Sequence, residues 1–208
     1  MGSHEIAKEI RSRFRSLMDG VVSENMRNSG AQYHINWGVS FMHIKDLAKD
    51  YRSDLHVALE LWKDNVRESK IIALMLMPVE EFTPDIAGVW VDDIKSQEIA
   101  EMAATLLFSK VPYAPEMAYK LIAQEDLLYQ ILGYNILSRL FSEGSIPDVR
   151  GLDELMDQIR IALHDEHPSV RHAAYNCFMK LDTCDKLADS PYWHTLCENI
   201  RQNDINPN

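Results

Sequence analysis

Apolar positions recur with helical spacing along almost the whole chain. Leu55, Ala58, Leu59 and Trp62 follow the i, i+3, i+4, i+7 rule of one buried helix face. Ile99, Met102, Ala103, Leu106 and Leu107 repeat it and leave Glu98, Glu101 and Thr105 on another face. Leu152, Leu155, Met156, Ile159 and Leu163 form a third stripe; Val170, Ala173, Ala174, Cys177, Phe178 and Leu181 form a fourth. "EIAKEIRSRFRSLM" at 5–18 opens the series. "IIALMLM" (71–77) and "LLYQILGYNILSRLF" (127–141) are apolar nearly all round, which predicts helices sandwiched between neighbours. Strict alternation is best developed in "WGVSF" at 37–41, too short to outweigh the helices.

The breaks are short and carry Pro or Gly: 77–84, 109–115, 142–151 and 164–169. Pro168 suits a first helical position, where its missing N–H costs nothing. Connections this short place successive helices antiparallel and adjacent. A loose repeat begins at Leu61, Ile94, Gln124 and Leu163, a spacing of stacked helix hairpins. "NVRESKIIAL" and "SVRHAAYNCF" share a HEAT-type pattern: a short turn, Val-Arg, then an apolar helix. A lone hairpin cannot bury its apolar face, so neighbours stack into a curved array. The second helices, beginning near Arg67, Glu98, Leu127 and Arg171, are then expected to line the concave face. One domain over 1–208 is expected, with a helical cap at 5–50, repeats at 54–181 and a C-terminal helix at 191–204.

Composition narrows the function. Apolar residues make up 46% of 208, which excludes a disordered chain. No apolar run approaches the roughly 20 residues of a bilayer span, and "MGSHEIAKEIRSRF" has no h-region, so neither membrane nor export is expected. Cys177, Cys184 and Cys197 form no close pair and no CxxC, which points to core thiols in a reducing cytoplasm. Net charge is −11. Residues 1–60 balance at 8 Lys+Arg against 8 Asp+Glu, and the acidic excess lies beyond them. A nucleic-acid binder usually carries a basic bias, so an anionic partner must meet a local basic stripe. His164, His167 and His172 with Asp165 and Glu166 lack the spacing of a metal-binding helix face, and neither metal nor cofactor is expected.

The chain resembles the DNA alkylation-repair glycosylase family of HEAT-like repeat proteins. The resembling residues are "WGVSFMHIKDLAKDY" (37–51), "LELWKDNVRESKIIALMLM" (59–77) and the hairpins to about 181. Gly38, Lys45, Asp46, Glu60, Leu61, Trp62, Arg67, Glu68, Ala73 and Leu74 carry the match. The resemblance implies an all-α right-handed superhelix whose concave groove cradles duplex DNA. It also implies metal-free hydrolysis of the glycosidic bond of N3- or N7-alkylated bases. There an Asp stabilises the cationic sugar and tryptophans contact the backbone. A preorganised carboxylate beside an oxocarbenium-like centre fits that chemistry.

Aligning the apolar run after Lys95 puts Glu98 on the family's Asp and Ile94 on its Trp. The groove Arg falls near Gln130 and a later Trp near Asn176. One carboxylate is kept on a longer arm and three supporting groups are absent. A gapped alternative uses Trp90 with Asp92 or Asp93. The catalytic candidates are therefore Glu98 and, in reserve, Asp93. Those for nucleic-acid contact are Trp90, Arg67, Lys70, Gln130 and Arg171. Several have a plainer reading. Ser96 makes an N-cap with Glu98 as a first-turn acid favoured by the helix dipole. Trp90 anchors a loop on the array, and Trp62 packs in the core. Arg67 and Arg171 join a ladder with Asp64, Glu68 or Asp165. Two functions follow: a base-repair protein acting on duplex DNA as a monomer, or a noncatalytic HEAT scaffold for a protein or DNA structure.

Overall fold

The structure is a computed structural model that describes residues 2–28 and 33–200. Among them it contains twelve α-helices and no strand. They are α1 (Ser3–Ser16), α2 (Gly20–Asn28), α3 (Phe41–Ala48), α4 (Leu55–Trp62), α5 (Arg67–Leu76), α6 (Pro84–Asp92) and α7 (Gln97–Leu106), then α8 (Ala114–Ile122), α9 (Leu127–Ser142), α10 (Val149–Leu163), α11 (Pro168–Asp182) and α12 (Pro191–Ile200). Residues 201–204 of the expected C-terminal helix lie outside the described residues.

The chain divides after Val111 into two compact units. In the first, α4 and α5 form a hairpin, α1 packs on α4, and α5 packs against α3 and α7. In the second, α8 pairs with α9, α10 with α11, and α9 packs against α11. In each unit the second helices of successive hairpins are neighbours, as stacked HEAT-like repeats require. Among the described residues no helix is long and apolar enough to cross a membrane.

Local sequence explains the helix starts. Ser96, Asp54, Thr83, Asp126 and Asp148 accept first-turn backbone N–H groups. Pro168 opens α11. The all-round apolar pattern of α5 has the expected result: every residue from Arg67 to Leu74 is buried, including three polar or charged side chains before Ile71 as well as Arg67 itself. Cys177, Cys184 and Cys197 are buried free thiols, and burial pushes the Cys177 thiol up to about 12.

"WGVSF" does not form a strand. Trp37–Ser40 is irregular, and the nearest β-type pairing is an isolated parallel bridge, Ile35 to Val66. Gly38 sets this path with φ +70°, and a Cβ there would lie 2.2 Å from the Asp19 carbonyl oxygen. The break expected at 77–84 leads directly into a helix, Pro84–Asp92. Thr83 caps it, Pro84 starts it, and Ala87, Trp90 and Val91 are its buried face.

Candidate functional site

The first unit concentrates its buried charge at the start of α5. Val66 is extended and pairs with Ile35, so the Arg67 N–H donates to the Ile35 carbonyl at 3.1 Å. Glu68, in the first turn, then meets the backbone of the 37–39 segment. Its carboxylate accepts the Trp37 N–H at 3.1 Å and the Val39 N–H at 3.2 Å, and it is fully buried. The Arg67 guanidinium lies between two acids. One Nη donates to Glu68 at 3.2 Å and to the Val39 carbonyl at 2.9 Å.

The other side of that guanidinium grips Glu98. Nε donates to Oε1 and Oε2 at 3.0 and 2.9 Å, and Nη2 to Oε1 at 2.7 Å. Glu98 also accepts the Tyr33 O–H at 2.7 Å. That assigns a proton order. Tyr33 has one O–H, which it donates to the carboxylate, so the Ser96 hydroxyl, 2.8 Å away, donates to the Tyr33 oxygen. Ser96 in turn accepts the Ile99 N–H that caps α7.

Burial alone would raise the Glu98 carboxyl, but the hydrogen bonds and charge of Arg67, aided by Tyr33, outweigh it and hold it below the usual glutamate range. Glu98 is therefore an anion at neutral pH. Burial likewise works against the Arg67 cation, and the hydrogen bond and charge of Glu98 restore it. Burial and the adjacent Glu98 push the Tyr33 phenol far up, so it keeps its proton.

A second pair lies one turn further along α5. The Lys70 ammonium donates to Asp93 and, at 3.0 Å, to the Trp62 carbonyl, and it sits 4.2 Å from the Trp62 ring centroid. Burial holds its pKa below the usual lysine range, partly offset by Asp93. Trp62 stacks on Trp90 with centroids 4.0 Å apart and planes 2° from parallel. Phe82 closes edge-on against Trp90 at 5.1 Å. Trp90 is thus a core residue of α6, only 1% exposed, rather than a loop anchor.

The structure therefore brings Arg67 to Glu98 and Lys70 to Asp93, with Trp90 beneath Trp62. The ladder partner of Arg67 is Glu98, on the following hairpin, together with Glu68; Asp64 pairs instead with Arg11. Gln130 and Arg171 belong to the second unit. Gln130 donates to the Gln124 carbonyl at 2.7 Å. Arg171 donates to the carbonyls of Asp165 and Glu166 at 2.6 and 3.0 Å, so its partners are backbone oxygens. Ile94 is buried at 3% exposure. Asn176 is exposed and bonds His172. Among the described residues no group of three His, Cys, Asp or Glu side chains is placed to hold a metal.

Sequence reasoning missed Tyr33 and the clamp of Glu68 on the 37–39 backbone. No local pattern joined Glu68 to the 37–39 segment, which lies 29 to 31 positions away in the chain. Nothing local marked Tyr33, which reaches Glu98 across 65 positions.

Chemically, the network offers one carboxylate at its surface. Glu98 is 28% exposed, while Arg67 is 4% exposed. An anion forked by a guanidinium stabilises a nearby cation less than a free one does, because the guanidinium opposes it at almost the same distance.

A family model described as DNA alkylation repair enzyme matches residues 10–181. No curated protein matches the chain. A solved structure reported with "a new family of proteins related to the HEAT-like repeat DNA glycosylases with affinity for branched DNA structures" matches with a TM-score of 0.79 at 16% identity. The match covers 92% of this chain and 80% of that one, and at this identity it supports a shared fold.

Proposed function

The chain belongs to the DNA alkylation repair enzyme family, and from that premise we propose that it binds DNA without efficient base excision, preferring branched to linear duplex. The observation that carries this is the occupancy of Glu98. Its oxygens are taken by the Arg67 fork and the Tyr33 hydroxyl. Excision would need that carboxylate beside a sugar cation, and a displacement of about 1 Å can cost about a hundredfold in rate. The reserve acid, Asp93, is paired with Lys70, and Trp90 is enclosed.

The preference for branched DNA is supported by the affinity for such structures reported with the fold relative. The same geometry moves the phosphate contacts away from Arg67 and Lys70, both of which are buried and already paired. The exposed cations Lys8, Arg15, Arg27 and Lys45 belong to the charge-balanced first 60 residues, and they are the better phosphate partners. Arg15 lies 5.6 Å over the Trp37 ring, a platform that orients its guanidinium.

The test is anisotropy titration of a four-way junction and a linear duplex across a salt series. Affinity should be higher for the junction and fall steeply as salt rises. Binding that is absent at low salt, or equal for the two DNAs, would refute the reading.

A second reading keeps a specific observation in its favour: Glu98 is anionic and part-exposed at the start of α7. A glycosylase acting through it would have to break the Arg67 fork on binding DNA.

A further inference from the structure

The second unit carries an open cleft. It has a volume of about 330 Å³ and lies between the start of α8, the C-terminal half of α9 and the turn leading into α10. Its walls include Pro115, Tyr119, Phe141 and Pro147, and Asp148 and Glu154 also line it. We propose that this cleft docks a short extended peptide, presenting a prolyl or aliphatic anchor next to an arginine or lysine.

The cleft is built rigidly. Tyr119 spans it, donating its O–H to the Gly151 carbonyl at 3.0 Å. Asp148 accepts the Gly151 N–H at 2.8 Å. A Cβ on Gly151 would lie 2.9 Å from the Pro147 Cβ, so a larger residue would push that wall aside. A preformed cleft loses little entropy on binding. Walls of proline and aromatic rings suit extended, proline-containing chains, which are themselves preordered. Val149, between two cleft residues in the chain, is 60% exposed and adds uncovered apolar surface.

Charge complementarity selects the cationic partner. Residues 112–208 carry 15 Asp+Glu against 8 Lys+Arg. Glu154 already takes a guanidinium: the Arg150 Nε–H donates to it at 3.1 Å, with both side chains largely exposed. An exposed pair of this kind contributes little and exchanges readily. A guanidinium from a partner anchored in the cleft would replace it. The same acidity disfavours a phosphate backbone here.

The experiment uses the full chain and a fluorescein-labelled peptide, Leu-Pro-Pro-Arg-Lys-amide, with a control in which Glu replaces both basic residues. Saturable binding of the cationic probe alone is expected. Glu154→Arg should weaken it by about tenfold. Arg150→Ala, which removes the internal competitor, should tighten it, so a misfolded Glu154 variant would not stall the test. Junction binding should survive Arg150→Ala. No saturable binding, equal binding of the control, or indifference to both substitutions overturns the proposal.

Discussion

Arg67 on α5 and Glu98 on α7 form a forked ion pair that joins two consecutive hairpins, with Arg67 buried and Glu98 at the edge of the solvent. Arg67 also answers the enclosed charge of Glu68, so one guanidinium serves two acids. Arg67→Leu should therefore destabilise the protein by about 3–5 kcal/mol, since it strands buried carboxylate. Arg67→Lys keeps the charge without the fork and should lie between. Urea unfolding checks both, and a loss within about 0.5 kcal/mol for Arg67→Leu would show that the pair is ornamental.

The acid limb of stability should depend on Glu98. Its folded pKa is depressed, so the unfolded chain binds more protons as pH falls. The contribution is therefore present above the ordinary glutamate value of 4.5 and lost as pH falls through the folded value. Tyr33→Phe removes one lowering hydrogen bond, which brings the folded pKa closer to the unfolded one, so the loss should be smaller and complete at higher pH. Urea midpoints between about pH 5 and about pH 3 measure it, and parallel curves for wild type and Tyr33→Phe would contradict the assignment.

Trp90→Ala should cost about 3–5 kcal/mol, as the loss of an enclosed indole between Trp62 and Phe82. Where the variant stays folded, junction affinity should be unchanged. A variant of normal stability with weakened DNA binding would make Trp90 a contact residue after all.

Lys70 and Asp93 should respond unequally. Asp93 is 47% exposed and water can solvate it, whereas Lys70 is 5% exposed. Lys70→Met should be nearly neutral, while Asp93→Ala leaves an ammonium enclosed and should cost about 1–3 kcal/mol. Equal losses in thermal and urea unfolding would reverse this account of which partner is buried.

The helices were legible because burial imposes a period on the sequence. The helices around Leu55 to Trp62 and Ile99 to Leu106, the N-cap Ser96 and the first-position Pro168 appear where patterning put them. α6 was hidden because Thr83-Pro84 looks like a break as much as a cap-and-start. The candidate acid was legible as a first-turn residue of α7. Its partners were not, since Arg67 and Tyr33 arrive from 31 and 65 positions away. Charge counting treats Arg67 and Lys70 as available cations, and only packing reveals that both are spent inside the fold.

The phosphate contacts should shift accordingly. Arg15→Ala and Lys45→Ala should each weaken junction binding and reduce the salt slope by about 1, with little change in stability. An unchanged slope in both would place the contacts elsewhere.

The most direct measurement is single-turnover release of N7-methylguanine from a duplex, with protein in excess and binding verified in the same tube. Bound wild-type protein should release no more base than Glu98→Gln does, because the carboxylate is held by Arg67 and Tyr33. Release by the wild type that Glu98→Gln abolishes, while keeping its fold and its DNA affinity, would contradict the account.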